Sequence, residues 1–174
     1  PQTMSPADQG PTPRRRASDR NMGLLPPAGR DVHVIDIDQA RRFALLMPDG
    51  PSSAQTEAFR AAKRPVLRQA FSSTAGAQSP SLRVVLVTSA HKADGKTHCV
   101  LNLALSMSAD HALEVLLVDA DSRRGDVAPR LGVPLSPGLM DGLGQGVPPE
   151  NFIRRTSIDN LLILPHGTPA RNDL

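Results

Sequence analysis

The chain has no tryptophan and no tyrosine, four phenylalanines and one cysteine in 174 residues. Each shortage excludes something. Without Trp and Tyr the core must be built from Leu, Ile, Val, Met and Ala, a supply that suits a parallel α/β sheet. Cys99 cannot form an internal disulfide, and its place in an apolar-rich stretch predicts a buried thiol rather than a nucleophile. No run approaches the roughly 20 apolar residues of a membrane span, and no charged-then-apolar leader opens the chain, so a cytoplasmic location is expected. Aromatic residues do not interleave with basic ones, which removes the base-stacking platform a nucleic-acid binder uses.

Net charge is a modest +3. Among the first thirty residues Arg14, Arg15, Arg16, Arg20 and Arg30 face only Asp8 and Asp19, amid many Pro, Ser and Gly. Such a segment buries too little apolar surface to offset its ordering entropy and reads as a disordered basic arm. Three adjacent arginines fall short of the roughly four to eight basic residues of a lipid-binding cluster, so the arm reads as a solvated tail.

What is present is a nucleotide signature. Residues 82–88 are an apolar, β-branched run expected to form a strand buried on both faces of a parallel sheet. They lead into AHKADGKT, residues 90–97, a P-loop with Ala90 at the position of the usual first glycine. The loop Ala90, His91, Lys92, Ala93, Asp94, Gly95, Lys96, Thr97 and His98 is the expected ATP contact. Gly95 lets successive N–H groups turn inward, and the helix that follows adds its positive end. Lys96 is expected to reach the β and γ phosphates and the Thr97 hydroxyl to ligate Mg²⁺. Val100, Leu101, Leu103, Ala104 and Met107 then recur at helical spacing.

Residues 114–119, EVLLVD, predict a second buried strand and 160–164, NLLIL, a third. The second ends in VDADSRRGD, which puts Asp119 and Asp121 at a strand tip, where open α/β sheets bind ligands. Two carboxylates one residue apart on a strand project to the same side. One is expected to hold a metal-bound water and the other to take a proton from an attacking hydroxyl.

Elsewhere, DVHVIDID at 31–38 suggests a short edge strand or docking segment. A helix is expected from about residue 55 to 71, with Glu57, Arg60, Lys63 and Arg64 three or four apart, and a Ser/Ala/Gly/Pro linker at 72–81. Residues 134–146 read as a glycine-rich surface connection and 149–155 as a short helix. The order βαβαβ calls for a parallel sheet with right-handed crossovers.

The pairing of AHKADGKT with VLLVDADSR resembles the Walker A and Walker A′ motifs of bacterial tyrosine kinases, the autokinases of exopolysaccharide and capsule assembly. Leu116, Leu117, Val118, Asp119, Asp121 and Arg123 match the second motif. EAFRAAK at 57–63 is similar to the family's ExxRxxR oligomerisation motif, and PGLMDGL at 137–143 and NLLILPHGTPARNDL at 160–174 resemble further family segments. The layout is closest to the autokinases of exosortase-linked polysaccharide systems.

The resemblance, over about residues 31–174, implies a P-loop NTPase-type parallel sheet flanked by helices, truncated after about three strands and before the family's Walker B strand. Residues 1–54 would be the arm and docking segment, and 55–174 the N-terminal part of the ATP-binding kinase domain. It implies a cytoplasmic kinase, peripheral at the inner face of the membrane, that uses ATP and Mg²⁺ and forms homo-oligomers with a membrane chain-length regulator, a polysaccharide co-polymerase. Lys96 would grip ATP, Thr97 and Asp119 would hold the metal, Asp121 would activate a tyrosine hydroxyl, and Arg123 occupies the motif's arginine position. Glu57, Arg60 and Lys63 would lie at the subunit contact.

The chain departs from the family at Ala93, where a glycine is common, at Lys92, at Lys63 in place of arginine, and in having no tyrosine. Two other readings stay open. One is a partitioning or septum-positioning ATPase, although His91 stands where such proteins carry a signature lysine. The other is a non-catalytic nucleotide-binding scaffold for the membrane partner.

Overall fold

The computed structural model describes residues 32–71, 83–121 and 125–168. The basic arm, the 72–81 linker, Arg123 and the last residues of the resemblance lie outside that range.

The centre of the fold is β4 (Leu161–Leu164), whose four apolar residues are all buried. It runs parallel to β2 (Val115–Val118) on one side and antiparallel to β3 (Arg154–Thr156) on the other, and β3 pairs in parallel with the two-residue β1 (Val32–His33). The sheet order is β1-β3-β4-β2. It is therefore a four-stranded mixed sheet, not the all-parallel one expected, and the reason is local. Only residues 157–160 join β3 to β4, too few for a crossover, so the pair closes as a hairpin. Thr156 fixes it, its hydroxyl donating to the Leu161 carbonyl at 2.9 Å. The short helix expected at 149–155 is a 3₁₀ turn at Pro149–Phe152 that leads into β3.

Helices cover the sheet. They are α1 (Ile37–Arg42), α2 (Ala54–Phe71), α3 (Lys96–Ser108), α4 (Val127–Arg130) and α5 (Leu139–Gln145). Asp36 caps α1, its Oδ1 accepting the Gln39 N–H at 2.9 Å. The core joins Leu101, Ala104 and Leu105 of α3 to Leu117, Leu161 and Ile163 of the sheet and to Val127, Ala128 and Leu131 around α4. Ile35, Ala40 and Leu45, from the segment expected to dock, are buried in the same core. The surface connection expected at 134–146 contains α5, whose first two N–H groups donate to the Pro165 and His166 carbonyls just beyond β4.

The helix expected at 55–71 is α2. None of its residues is fully buried; Thr56, Phe59, Lys63, Val66, Leu67 and Ala70 form one half-buried stripe at three- and four-residue spacing. That stripe lies on α3, where Phe59 meets the His98 ring edge-on. A narrow contact of this kind fits a helix whose remaining faces carry charged residues, alanines and glutamines.

One expected element does not form. Residues 84–89 carry no ladder partner, and Val84 and Leu86 are 76% and 84% exposed. The run is apolar because it has strand character, but among the described residues no strand sits beside it to complete the ladder.

Candidate functional site

The loop at 90–95 is folded by its own groups. The Asp94 carboxylate accepts the His91 N–H at 2.9 Å, and the Ser89 hydroxyl donates to the His91 carbonyl at 3.0 Å. Ala93 and Gly95 both adopt left-handed backbone, with φ of 70° and 86°. Alternation of left- and right-handed residues bends successive N–H groups toward one concavity. Gly95 adopts that conformation without steric cost, whereas the Ala93 side chain makes it strained. No side chain caps α3, so its first-turn N–H groups face the loop. An added Cβ on Gly95 would meet nothing within 4 Å, so the loop backbone borders open space on that side.

The second half of the site comes from the end of β2. Asp121 reaches across to the loop: its Oδ2 lies 3.0 Å from the Lys96 ammonium, with both side chains about one-third exposed. The expected neighbours are thus together. Their geometry differs from expectation in one respect, because the two aspartates do not face the same way. Asp119 is 2% exposed, its Oδ1 accepting the Asp121 N–H at 3.2 Å and its Oδ2 the Val127 N–H at 3.0 Å. Residues 119–121 leave the strand in a turn closed by Asp119 itself, and the turn sends Asp121 outward.

Both Asp119 oxygens accept backbone N–H groups, which fixes the loop and the start of α4, and each keeps a further lone pair that a cation could use. Among the described residues, no three His, Cys, Asp or Glu side chains cluster closely enough to hold a metal. The groups that fit a metal-bound triphosphate are the Thr97 hydroxyl at the half-buried start of α3 and the Asp119 carboxylate, with phosphate oxygens completing the shell.

Several expected contacts turn elsewhere. His98 points its ring at α2 and the core, 3.0 Å from the Gln55 amide and within hydrogen-bond distance of Asn102. Only its backbone remains with the loop. His91 and Lys92 are exposed at the loop tip, and Cys99 is exposed rather than buried. On α2, Glu57 pairs with Arg60 and accepts the Ser52 hydroxyl, contacts that lower its pKa. Lys63 donates to the Ser106 carbonyl of α3 at 2.8 Å, so within one chain it fastens α2 in place.

Sequence reading missed the residues that fix this geometry from below. Asn102 is fully buried at the centre of α3, accepting the Leu46 N–H at 2.7 Å and donating to the His98 carbonyl. Asp141 ties the segment after β4 to α5: its Oδ2 accepts the Gly138 N–H at 2.7 Å and the Thr168 N–H at 3.0 Å. Burial works to raise its pKa, but these bonds and the Ser136 and Thr168 hydroxyls outweigh it and hold the carboxyl below its ordinary value. A polar residue on the apolar stripe of α3 was the available signal for Asn102. The three-residue spacing from Gly138 to Asp141, N-cap to N3, was the signal for Asp141.

Comparison with protein-family models, with curated proteins and with solved structures returns no match. The functional reading therefore rests on the residues and their geometry.

Proposed function

We propose that the chain binds Mg-ATP in the loop at residues 90–98 and carries the nucleotide-binding part of a protein tyrosine autokinase that regulates exopolysaccharide or capsule assembly. The observation that carries this reading is the 3.0 Å contact between Lys96 and Asp121, which joins the loop and the tip of β2 in one site. Bound ATP supplies the phosphoryl group, and Mg²⁺ offsets charge on its oxygens. Lys96 leaves Asp121 for the β and γ phosphates, where its charge stabilises the developing negative charge. Asp121 would accept the proton of the tyrosine hydroxyl as that oxygen takes the γ-phosphoryl group and ADP leaves. Thr97 offers its hydroxyl to the metal, and Asp119 keeps the turn that aims Asp121.

By the same resemblance the kinase works in the cytoplasm against the inner face of the membrane, as a homo-oligomer docked on a polysaccharide co-polymerase. No described helix is long and apolar enough to cross a membrane, which accords with a peripheral partner. Glu57 and Arg60, exposed on the outer side of α2, are the residues offered to a neighbouring subunit.

A second reading has one observation in its favour. With Asp121 paired to Lys96 at 3.0 Å, the carboxylate that would take the hydroxyl proton is held by a cation, as in a scaffold that binds ATP without turning it over. Because the chain has no tyrosine, a tyrosine-containing copolymer serves as acceptor in the test. The kinase reading expects transfer of labelled phosphate from ATP, its loss in Asp121→Asn, and retained Mg-ATP binding in that variant. Binding without transfer selects the scaffold, and absence of Mg-ATP binding by the unaltered chain overturns both.

A further inference from the structure

Arg154, the first residue of β3, is a buried cation with no ion-pair partner among the described residues. Its side chain points inward, and the residue is 9% exposed. The guanidinium donates through Nη1 to the Pro134 carbonyl and through Nη2 to the Pro137 carbonyl at 2.8 Å. Among the described residues no carboxylate lies within ion-pair distance of it. Burial pulls its pKa below the ordinary arginine value, and the more distant charge of Asp141 opposes this only in part. Burying a guanidinium against carbonyl dipoles alone is costly, and an anion beside it would recover much of that cost.

Space for one exists. Arg154 lines an open pocket of about 300 Å³, together with His33 of β1, Ser136, Asn151 and Phe152. The volume is at the lower end for small-molecule sites. Two carbonyls do not exhaust the five donors of a guanidinium. Ser136 and Asn151 add neutral polar groups at the same pocket, and Phe152 with the neighbouring prolines gives it an apolar wall. None of these residues belongs to the Lys96 loop or to the aspartate turn, so the pocket is separate from the nucleotide site.

We propose that this pocket binds a small organic anion, its carboxylate or phosphate head on Arg154 and a compact apolar body against Phe152. The ligand class is set by the pairing of a buried guanidinium, bonded only to carbonyls among the described residues, with an apolar wall in one small pocket.

Phenyl phosphate, benzoate and neutral benzyl alcohol distinguish the two head groups from simple apolar filling. Titrated into the whole chain and followed by NMR, at least one of the two anions should bind with a Kd of about 1 mM or tighter, and about tenfold more tightly than benzyl alcohol. Saturating Mg-ATP should leave that binding in place. Arg154→Met should abolish it, but Arg154 also staples the 134–137 segment. Asn151→Asp, at an exposed rim position, is therefore the decisive variant: it adds a negative charge, should weaken the anion about tenfold and should leave the melting temperature unchanged. Equal binding of benzyl alcohol, no binding of either anion at about 10 mM, or unaltered affinity in a folded Asn151→Asp would overturn the proposal.

Discussion

The LLIL of β4 and the VVLV of residues 84–87 are nearly interchangeable as sequences, yet one is wholly buried and the other is largely exposed. The difference lies in neighbours. β4 has β2 on one side, β3 on the other, and α3 and α4 packed against it. The 84–88 run has no ladder partner among the described residues. The loop at residues 90–95 is consequently held from its C-terminal side. Asp94, the start of α3 and the Lys96–Asp121 contact define its shape, while the strand character that precedes it contributes little. An apolar run thus states which structure a segment favours, and the presence of flanking strands decides whether it is realised.

The sharpest way to break that comparison is to damage the buried strand. Ile163→Ala removes a fully buried side chain and should cost about 2–5 kcal/mol in chemical denaturation. A cost under about 1 kcal/mol would mean that β4 is not the centre of the core. Next comes Asn102→Ala, which strands the Leu46 N–H and empties a polar site within α3. It should cost about 1–3 kcal/mol, with Asn102→Asp, which keeps the acceptor, losing less.

The acid limb of the stability profile sharpens the picture on the β4 side. The Asp141 carboxyl titrates lower in the folded chain than its ordinary 3.8. Its contribution is therefore complete above that ordinary value and is lost as pH falls through the lower folded value. Asp141→Asn should cost about 1 kcal/mol at neutral pH, discounted for its partial exposure, and should flatten the melting-temperature profile in that acid window. An unchanged acid limb in the variant would show that Asp141 does not couple the end of β4 to α5.

On the loop side the expected effects are smaller and one has the opposite sign. Ala93→Gly relieves a left-handed alanine and should stabilise the chain by about 0.5–1 kcal/mol. A loss of stability would mean that the loop takes another conformation in solution. The smallest effect is expected from Leu86→Ser, within about 0.5 kcal/mol of zero, because the side chain is already in solvent. A cost above about 1.5 kcal/mol there would show the run to be covered in solution, and the contrast with β4 would fail.

How far the residues themselves disclosed this architecture follows from the same physics. Strands β2 and β4 and helices α2 and α3 were legible because each carries a complete periodic signal over its whole length. β3 was not, since Arg-Arg-Thr has no apolar alternation and its pairing is imposed by the hairpin with β4. The approach of Lys96 to Asp121 was legible from motif order and strand-end geometry. The parting of Asp119 from Asp121 was not, because it depends on the Asp119 side chain capturing two backbone N–H groups, one of them at Val127 in the next helix. Buried Arg154 carried no local signal, as two adjacent arginines ordinarily mark a solvated surface.

The central claim is that the loop and the tip of β2 form one phosphate site, and calorimetric titration of Mg-ATP into the chain and its Lys96→Met, Asp121→Asn and double variants tests it most directly. The account predicts that Lys96→Met loses at least about tenfold in affinity, and that Asp121→Asn changes affinity by a different factor alone than in the Lys96→Met background, a coupling of about 1 kcal/mol or more. Additive effects, or Mg-ATP affinity unaffected by Lys96→Met, would contradict it.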